Sequence, residues 1–141
     1  MIDMTDATDQ PLGYLLNRLA TTLRIEVIAT ALEPLDLSFP QYICMRILSH
    51  SPGRSNADLA RDVMVSPQAM NMVVRGLQDR GLVGRPTSVA SGRSLPAELT
   101  REGHALLKRT DAGVRASEER VLAPLNERDR RDLKRILAVF D

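Results

Sequence analysis

Three observations predict a mainly α fold with a small β-hairpin, arranged as a winged helix-turn-helix whose N- and C-terminal helices form a dimerisation layer. Ser66-Pro67 marks a helix start, because the serine supplies a capping oxygen and the proline has its φ preset and no N–H to leave unsatisfied. A capped helix of barely two turns, Ser55-Asn56-Ala57-Asp58 followed by LARDV, lies just before it, with only Met64-Val65 turning the chain between the two. Beyond the second helix, Gly81 acts as a C-cap, Leu82-Val83 opens a strand, and Ala97-Glu98-Leu99 returns after the tip TSVASGRS. Pro96 cannot donate to a ladder, which makes the return a short edge strand.

The chain has 141 residues, enough for one domain with its own core and too few for two. It is 43% hydrophobic and 26% charged, inside the globular range. Aromatics are only 3%, so the core must be aliphatic. The one cysteine, Cys44, excludes an intramolecular disulfide and sits among aliphatic residues as a small core residue. No apolar run approaches the roughly 18 residues that span a bilayer, and the acidic MIDMTDATDQ lacks the features of a secretory signal, so a cytoplasmic protein without a membrane partner is expected. Net charge is +1, but between Ser51 and Arg101 seven arginines stand against four acids. That local balance of +3 suggests a localised phosphate footprint.

From residue 12 to about residue 35 the apolar positions 12, 15, 16, 19, 23, 27, 31, 32 and 35 form one helical stripe, with Pro11 at its start and Pro34 kinking or ending it. Ser38 and Gln41 have capping-box spacing and open a helix through YICMRILSH, in which Ile43, Ile47 and Leu48 share a face; Ser51-Pro52-Gly53 breaks it. Thr100 caps a long helix with Ala105, Leu106, Val114, Val121, Leu122 and Leu125 as its apolar set. After Pro124 a terminal helix, NERDRRDLKRILAVF, carries Leu133, Ile136, Leu137 and Phe140 on one side. The two chain ends hold more apolar surface than a small winged domain can cover, and a symmetric pairing of two copies is the economical solution. The expected division is residues 1–35 with 101–141 for dimerisation and 36–100 for the winged reader.

Within the second helix of the motif, residues 66 to about 80, Met70, Val73, Val74 and Leu77 face one way and Gln68, Asn71, Met72, Arg75 and Asp79 the other. Asn and Gln can bond adenine bidentately and Arg can do so to guanine, and the first turns of such a helix are the part that reaches base edges. Polar residues also decorate every solvated helix face, so it is the adjoining turn and hairpin that favour double-stranded DNA. The candidate DNA contacts are Ser55, Ser66, Pro67, Gln68, Asn71, Met72, Arg75, Arg85 and Arg93, the last able to enter a minor groove from the tip. His50 and His104 lie in different helices, without acid or cysteine at triad or ligand spacing, and no Gly-rich phosphate loop occurs. No catalytic residue, metal site or cofactor is therefore expected.

Taken together, LSFPQYICMRIL, LARDVMVSPQAMNMVVRGLQDRGLV and ELTREG resemble the multiple antibiotic resistance regulator (MarR) family over nearly the whole chain. The resemblance implies an obligate homodimer on a pseudo-palindromic operator, acting as a repressor released by a small phenolic or aromatic acid. It places such an effector between the dimerisation helices and the winged part, where Arg18, Arg24, Tyr42, Arg46 and His50 are the candidate contacts. Family wings commonly carry an Asp-Arg-Arg element near the tip; Ser91-Gly92-Arg93 stands there in this chain, implying a looser wing. The alternative is a dimeric winged-helix module that binds protein instead of DNA, which predicts no salt-dependent affinity for any duplex.

Overall fold

The computed structural model describes residues 9–85 and 97–141. Helix α1, Leu12–Val27, runs on without a break through a π turn, Ile28–Leu32, and a 3-10 turn, Glu33–Leu35. α2 is Phe39–His50, α3 Asn56–Val63 and α4 Pro67–Asp79; β1, Val83–Gly84, and β2, Glu98–Leu99, follow; α5 is Arg101–Val121 and α6 Glu127–Leu137, closed by a 3-10 turn at Ala138–Phe140. Each predicted element is present. The helix expected to about residue 35, kinked or ended by Pro34, is there, but its last two turns are π and 3-10, and it ends at Asp36 with φ 55°.

The helix starts follow from their caps. Ser38 Oγ accepts from the Gln41 N–H at 3.2 Å while Gln41 Oε1 accepts from the Ser38 N–H at 3.0 Å, the complete capping box. Ser55, Ser66, Thr100 and Asn126 cap α3, α4, α5 and α6 in the same way, each accepting from the N–H three residues on. The turn between α3 and α4 passes through Met64 at φ 63°, a left-handed C-cap whose side chain is 90% exposed.

One aliphatic core joins the two chain ends to the middle: Val27, Ala31 and Leu32 meet Cys44, Met45 and Leu48 of α2, Met70, Val74 and Leu77 of α4, and Leu106 and Leu107 of α5. On α5 the expected apolar set needs correcting. Ala105 is exposed, and Leu107, Thr110 and Ser117 turn inward with Leu106. On α2 the buried side chains are Tyr42, Cys44, Met45 and Leu48, with Ile43 and Ile47 packed at the margin.

Small residues let α5 approach α1. A Cβ on Gly113 would lie 2.8 Å from Ala31 Cβ, at the π turn. The Thr30 and Ser117 hydroxyls meet at 2.6 Å, and Arg120 Nε pairs with Glu26 at 2.6 Å one turn further on. The base of the hairpin is locked to the start of α5, because the Thr100 hydroxyl donates to the Gly81 carbonyl and its N–H to the Leu82 carbonyl. A Cβ on Gly103 would stand 2.1 Å from that Leu82 carbonyl oxygen, so the LTREG segment needs glycine there. β1 and β2 pair antiparallel, Val83 opposite Leu99 and Gly84 opposite Glu98, and the Thr100 N–H to Leu82 carbonyl bond lies on the same register; β1 begins one residue later than expected.

The terminal helix is held differently. Arg130 donates to the Leu122 and Leu125 carbonyls at 3.2 Å, folding α6 back against the end of α5, yet α6 buries none of its side chains. Leu19, Leu23, Leu122, Leu133 and Leu137 line an open groove of about 460 Å³ among α1, α5 and α6.

Candidate nucleic-acid interface

The surface built by α3, α4 and the base of the hairpin gathers most of the predicted contact residues. α4 turns Met70, Val74 and Leu77 into the core, which fixes its roll and leaves Gln68, Asn71, Met72 and Arg75 exposed on the opposite side. Met72 is 76% exposed, an apolar side chain in water that none of the described residues covers. Arg80, at the end of α4, donates to the Asp36 carbonyl at 2.6 Å and the Leu35 carbonyl at 3.1 Å. Those bonds tie the C-terminal end of the helix to the end of the α1 segment.

Ser55 and Ser66 serve first as caps. Ser55 Oγ accepts from the Asp58 N–H and Ser66 Oγ from the Ala69 N–H, both at 3.1 Å; the Ser66 hydroxyl proton remains able to donate outward, whereas that of Ser55 is turned to the Asp58 carboxyl. Pro67 is the first residue of α4. The hydrogen bond from Ser55 holds the Asp58 carboxyl below its ordinary pKa against partial burial, and the ion pair with Arg61 adds to this.

A residue that sequence reasoning missed, Asn56, joins three elements. Arg85, at the end of β1, donates to Asn56 Oδ1 at 2.6 Å, and Asn56 Nδ2 donates to Asn71 Oδ1 at 2.5 Å. Asn56, Asn71, Arg75, Gln78 and Arg85 line a concavity of about 420 Å³ with two guanidinium groups at its rim. No spacing rule marks Asn56, since its partners are 15 and 29 residues away. Arg93 lies outside the described residues.

Of the expected effector contacts, three converge. Arg24 sits over the Phe39 ring at 5.8 Å, Phe39 tilts against Tyr42 with centroids 6.3 Å apart, and Arg46 lies over Tyr42 at 5.4 Å. Tyr42 is buried, and its hydroxyl accepts from Arg46 at 3.3 Å. Arg46 also forms an ion pair with Asp111 of α5, a partner no sequence signal named. Burial disfavours the Arg46 cation, but the bonds to Asp111 and Tyr42 more than offset this and raise its pKa. Its charge is thus already answered within the protomer. Arg18 stacks instead on Tyr14 at 5.9 Å, and His50 lies at the far end of α2 beside Ser51. Burial pushes the Cys44 thiol up to about 11, which suits the core role expected for it.

Among the described residues no cluster of histidine, cysteine and carboxylate could hold a metal ion, and no helix is long and apolar enough to cross a membrane.

A family model described as MarR family matches residues 37–95. The HTH-type transcriptional repressor Rv2887 of Mycobacterium tuberculosis is 57% identical over 131 residues, covering 93% of this chain and 94% of the relative. The crystal structure of Rv2887, a Mycobacterium tuberculosis MarR family protein, in complex with salicylic acid superposes with a TM-score of 0.81 at 56% identity, covering 96% of this chain and 99% of that one. The same protein in complex with DNA gives a TM-score of 0.79 at 52% identity, covering 94% and 98%.

Proposed function

This chain belongs to the MarR family, and we propose that it is a homodimeric, sequence-specific DNA-binding transcriptional regulator, a repressor released by a small aromatic acid. The observation that carries the reading is the outer face of α4, where Gln68, Asn71, Met72 and Arg75 stand exposed beside Arg85. The relative's solved complexes with DNA and with salicylic acid support it.

In this reading residues 36–100 read the duplex, and 1–35 with 101–141 pair two copies. The exposed apolar side chains Leu12, Leu16 and Ile25 on α1, and Ile136, Leu137 and Phe140 at the C-terminal end, support the pairing. Two α4 helices then enter successive major grooves about one helical turn, roughly 34 Å, apart. Because Arg80 anchors α4 to the end of α1, a shift of α1 within the dimer changes that spacing. An aromatic acid lodged at the Arg24, Phe39 and Tyr42 junction acts on this connection, its carboxylate held by a guanidinium. The function has no catalytic step.

The test is footprinting of the purified protein on the DNA flanking its own gene, across a salt series and with salicylic acid added. A protected, two-fold site whose affinity falls with salt, and is lost with salicylate, is expected. Absence of salt-dependent binding to any duplex would reject the reading; binding indifferent to aromatic acids would reject its effector part.

A further inference from the structure

Resting on the DNA-binding reading above, we infer that Asn56 sets which end of the Asn71 amide faces a base, making Asn71 a donor that selects guanine over adenine. The argument is an inventory of protons. A guanidinium donates and never accepts, so the Asn56 atom 2.6 Å from Arg85 Nη2 is the amide oxygen. The other end of the Asn56 amide is then its NH2 group, and the Asn71 atom facing that donor is an oxygen. Asn71 turns its oxygen to α3 and leaves its NH2 group on the exposed face of α4. The wing base thereby imposes a direction on a chain of hydrogen bonds ending at the recognition helix.

An unconstrained asparagine pairs bidentately with adenine, accepting from N6 and donating to N7. With its oxygen turned to Asn56, Asn71 points its NH2 group, a donor, away from α3. Guanine presents two acceptors in the major groove, N7 and O6, and thymine one, O4, whereas the amino groups of adenine and cytosine oppose a donor. Arg75 and Arg85 on the same concavity add only further donors. Apart from the Gln78 amide, which can present either end, the patch is therefore rich in donors and favours acceptor edges, guanine first.

Asn56 is a positioning residue, and its effect can be inverted. The Asn56→Asp variant replaces the amide by a carboxylate, which accepts from Arg85 and also from Asn71. Asn71 must then turn its NH2 group to α3 and its oxygen outward. A carboxylate at the first position of α3 is favourable to the helix, so the fold is kept.

The experiment uses the full chain and a pool of duplexes randomised over about two helical turns. Bound sequences are read for wild type, Asn71→Ala and Asn56→Asp, with the unfolding midpoint of each as a control. Asn71→Ala should erase the preference at one position of each half-site, and wild type should favour guanine over adenine there by about fivefold or more, the low end of a bidentate contact. Asn56→Asp should move that position towards adenine or cytosine; its extra negative charge lowers affinity on all sequences, so the base ratio is the readout. Adenine at that position in wild type, an unchanged ratio in Asn56→Asp, or no position that depends on Asn71 would each overturn the inference. Failure of the DNA-binding reading looks different, since wild type would then enrich no sequence and bind no duplex in a salt-dependent way, removing both.

Discussion

Helices α4 and α6 are both amphipathic, yet the protomer treats their apolar faces in opposite ways. On α4, Met70, Val74 and Leu77 are fully enclosed by α2 and the rest of the core. On α6 nothing is buried, and Ile136 and Leu137 remain 47% and 50% exposed. An apolar stripe is a demand for cover worth about 1.5–3 kcal/mol for each large side chain. The middle of the chain meets that demand by itself, whereas among the described residues nothing encloses the α6 stripe. In the dimeric reading proposed above, the reading helix is held within one copy, and the spacing between two such helices is left to a surface the single copy does not complete.

The sharpest way to break this comparison is to hollow the covered face. Leu77→Ala should cost about 2–5 kcal/mol of stability in denaturant titration, because it leaves a cavity in a fully packed site. A loss below about 1 kcal/mol would mean the core is looser than its burial implies.

On the opposite face of the same helix, Arg75→Ala should leave stability within about 0.5 kcal/mol but cost about 1–3 kcal/mol of binding on the cognate site. Equal losses on all sequences would move Arg75 from base reading to phosphate contact.

For α6 the effect should be concentration-dependent. The wild-type unfolding midpoint should rise with protein concentration, and the double change Ile136→Asn with Leu137→Asn should flatten that slope. A wild-type midpoint indifferent to concentration would leave the α6 stripe in solvent.

The smallest effect concerns Cys44, enclosed by the same core as the inner face of α4. Its folded pKa lies above the unfolded value of 9.0, so its contribution to stability is present below pH 9 and is lost as pH rises through about 11. A thiol reagent at pH 8 should fail to label the native protein and label it readily in denaturant; prompt native labelling would show that the core opens.

Much of the interface was legible because its signals are local. The Ser38, Ser55, Ser66 and Thr100 caps mark helix starts within four residues of themselves, and the stripe Met70, Val74, Leu77 sets the roll of α4 and hence which side chains face out. The π turn at Ile28–Leu32 escaped prediction because it goes with the close approach of Gly113, more than 80 residues away. Ala105 and Leu107 exchanged places because α5 carries few large apolar residues, and packing against α1 and the hairpin decided its roll.

By itself, then, the sequence determined the element order, the caps, the aliphatic core of the motif and the exposed face of α4, since each depends on short spacings and helical period. Only the tertiary structure decided that Arg85, Asn56 and Asn71 form one directed chain, that Arg46 is answered by Asp111, and that the α6 stripe stays uncovered. The physical reason is common to all three: a hydrogen bond or an apolar contact is settled by what stands opposite, and what stands opposite comes from a distant part of the chain.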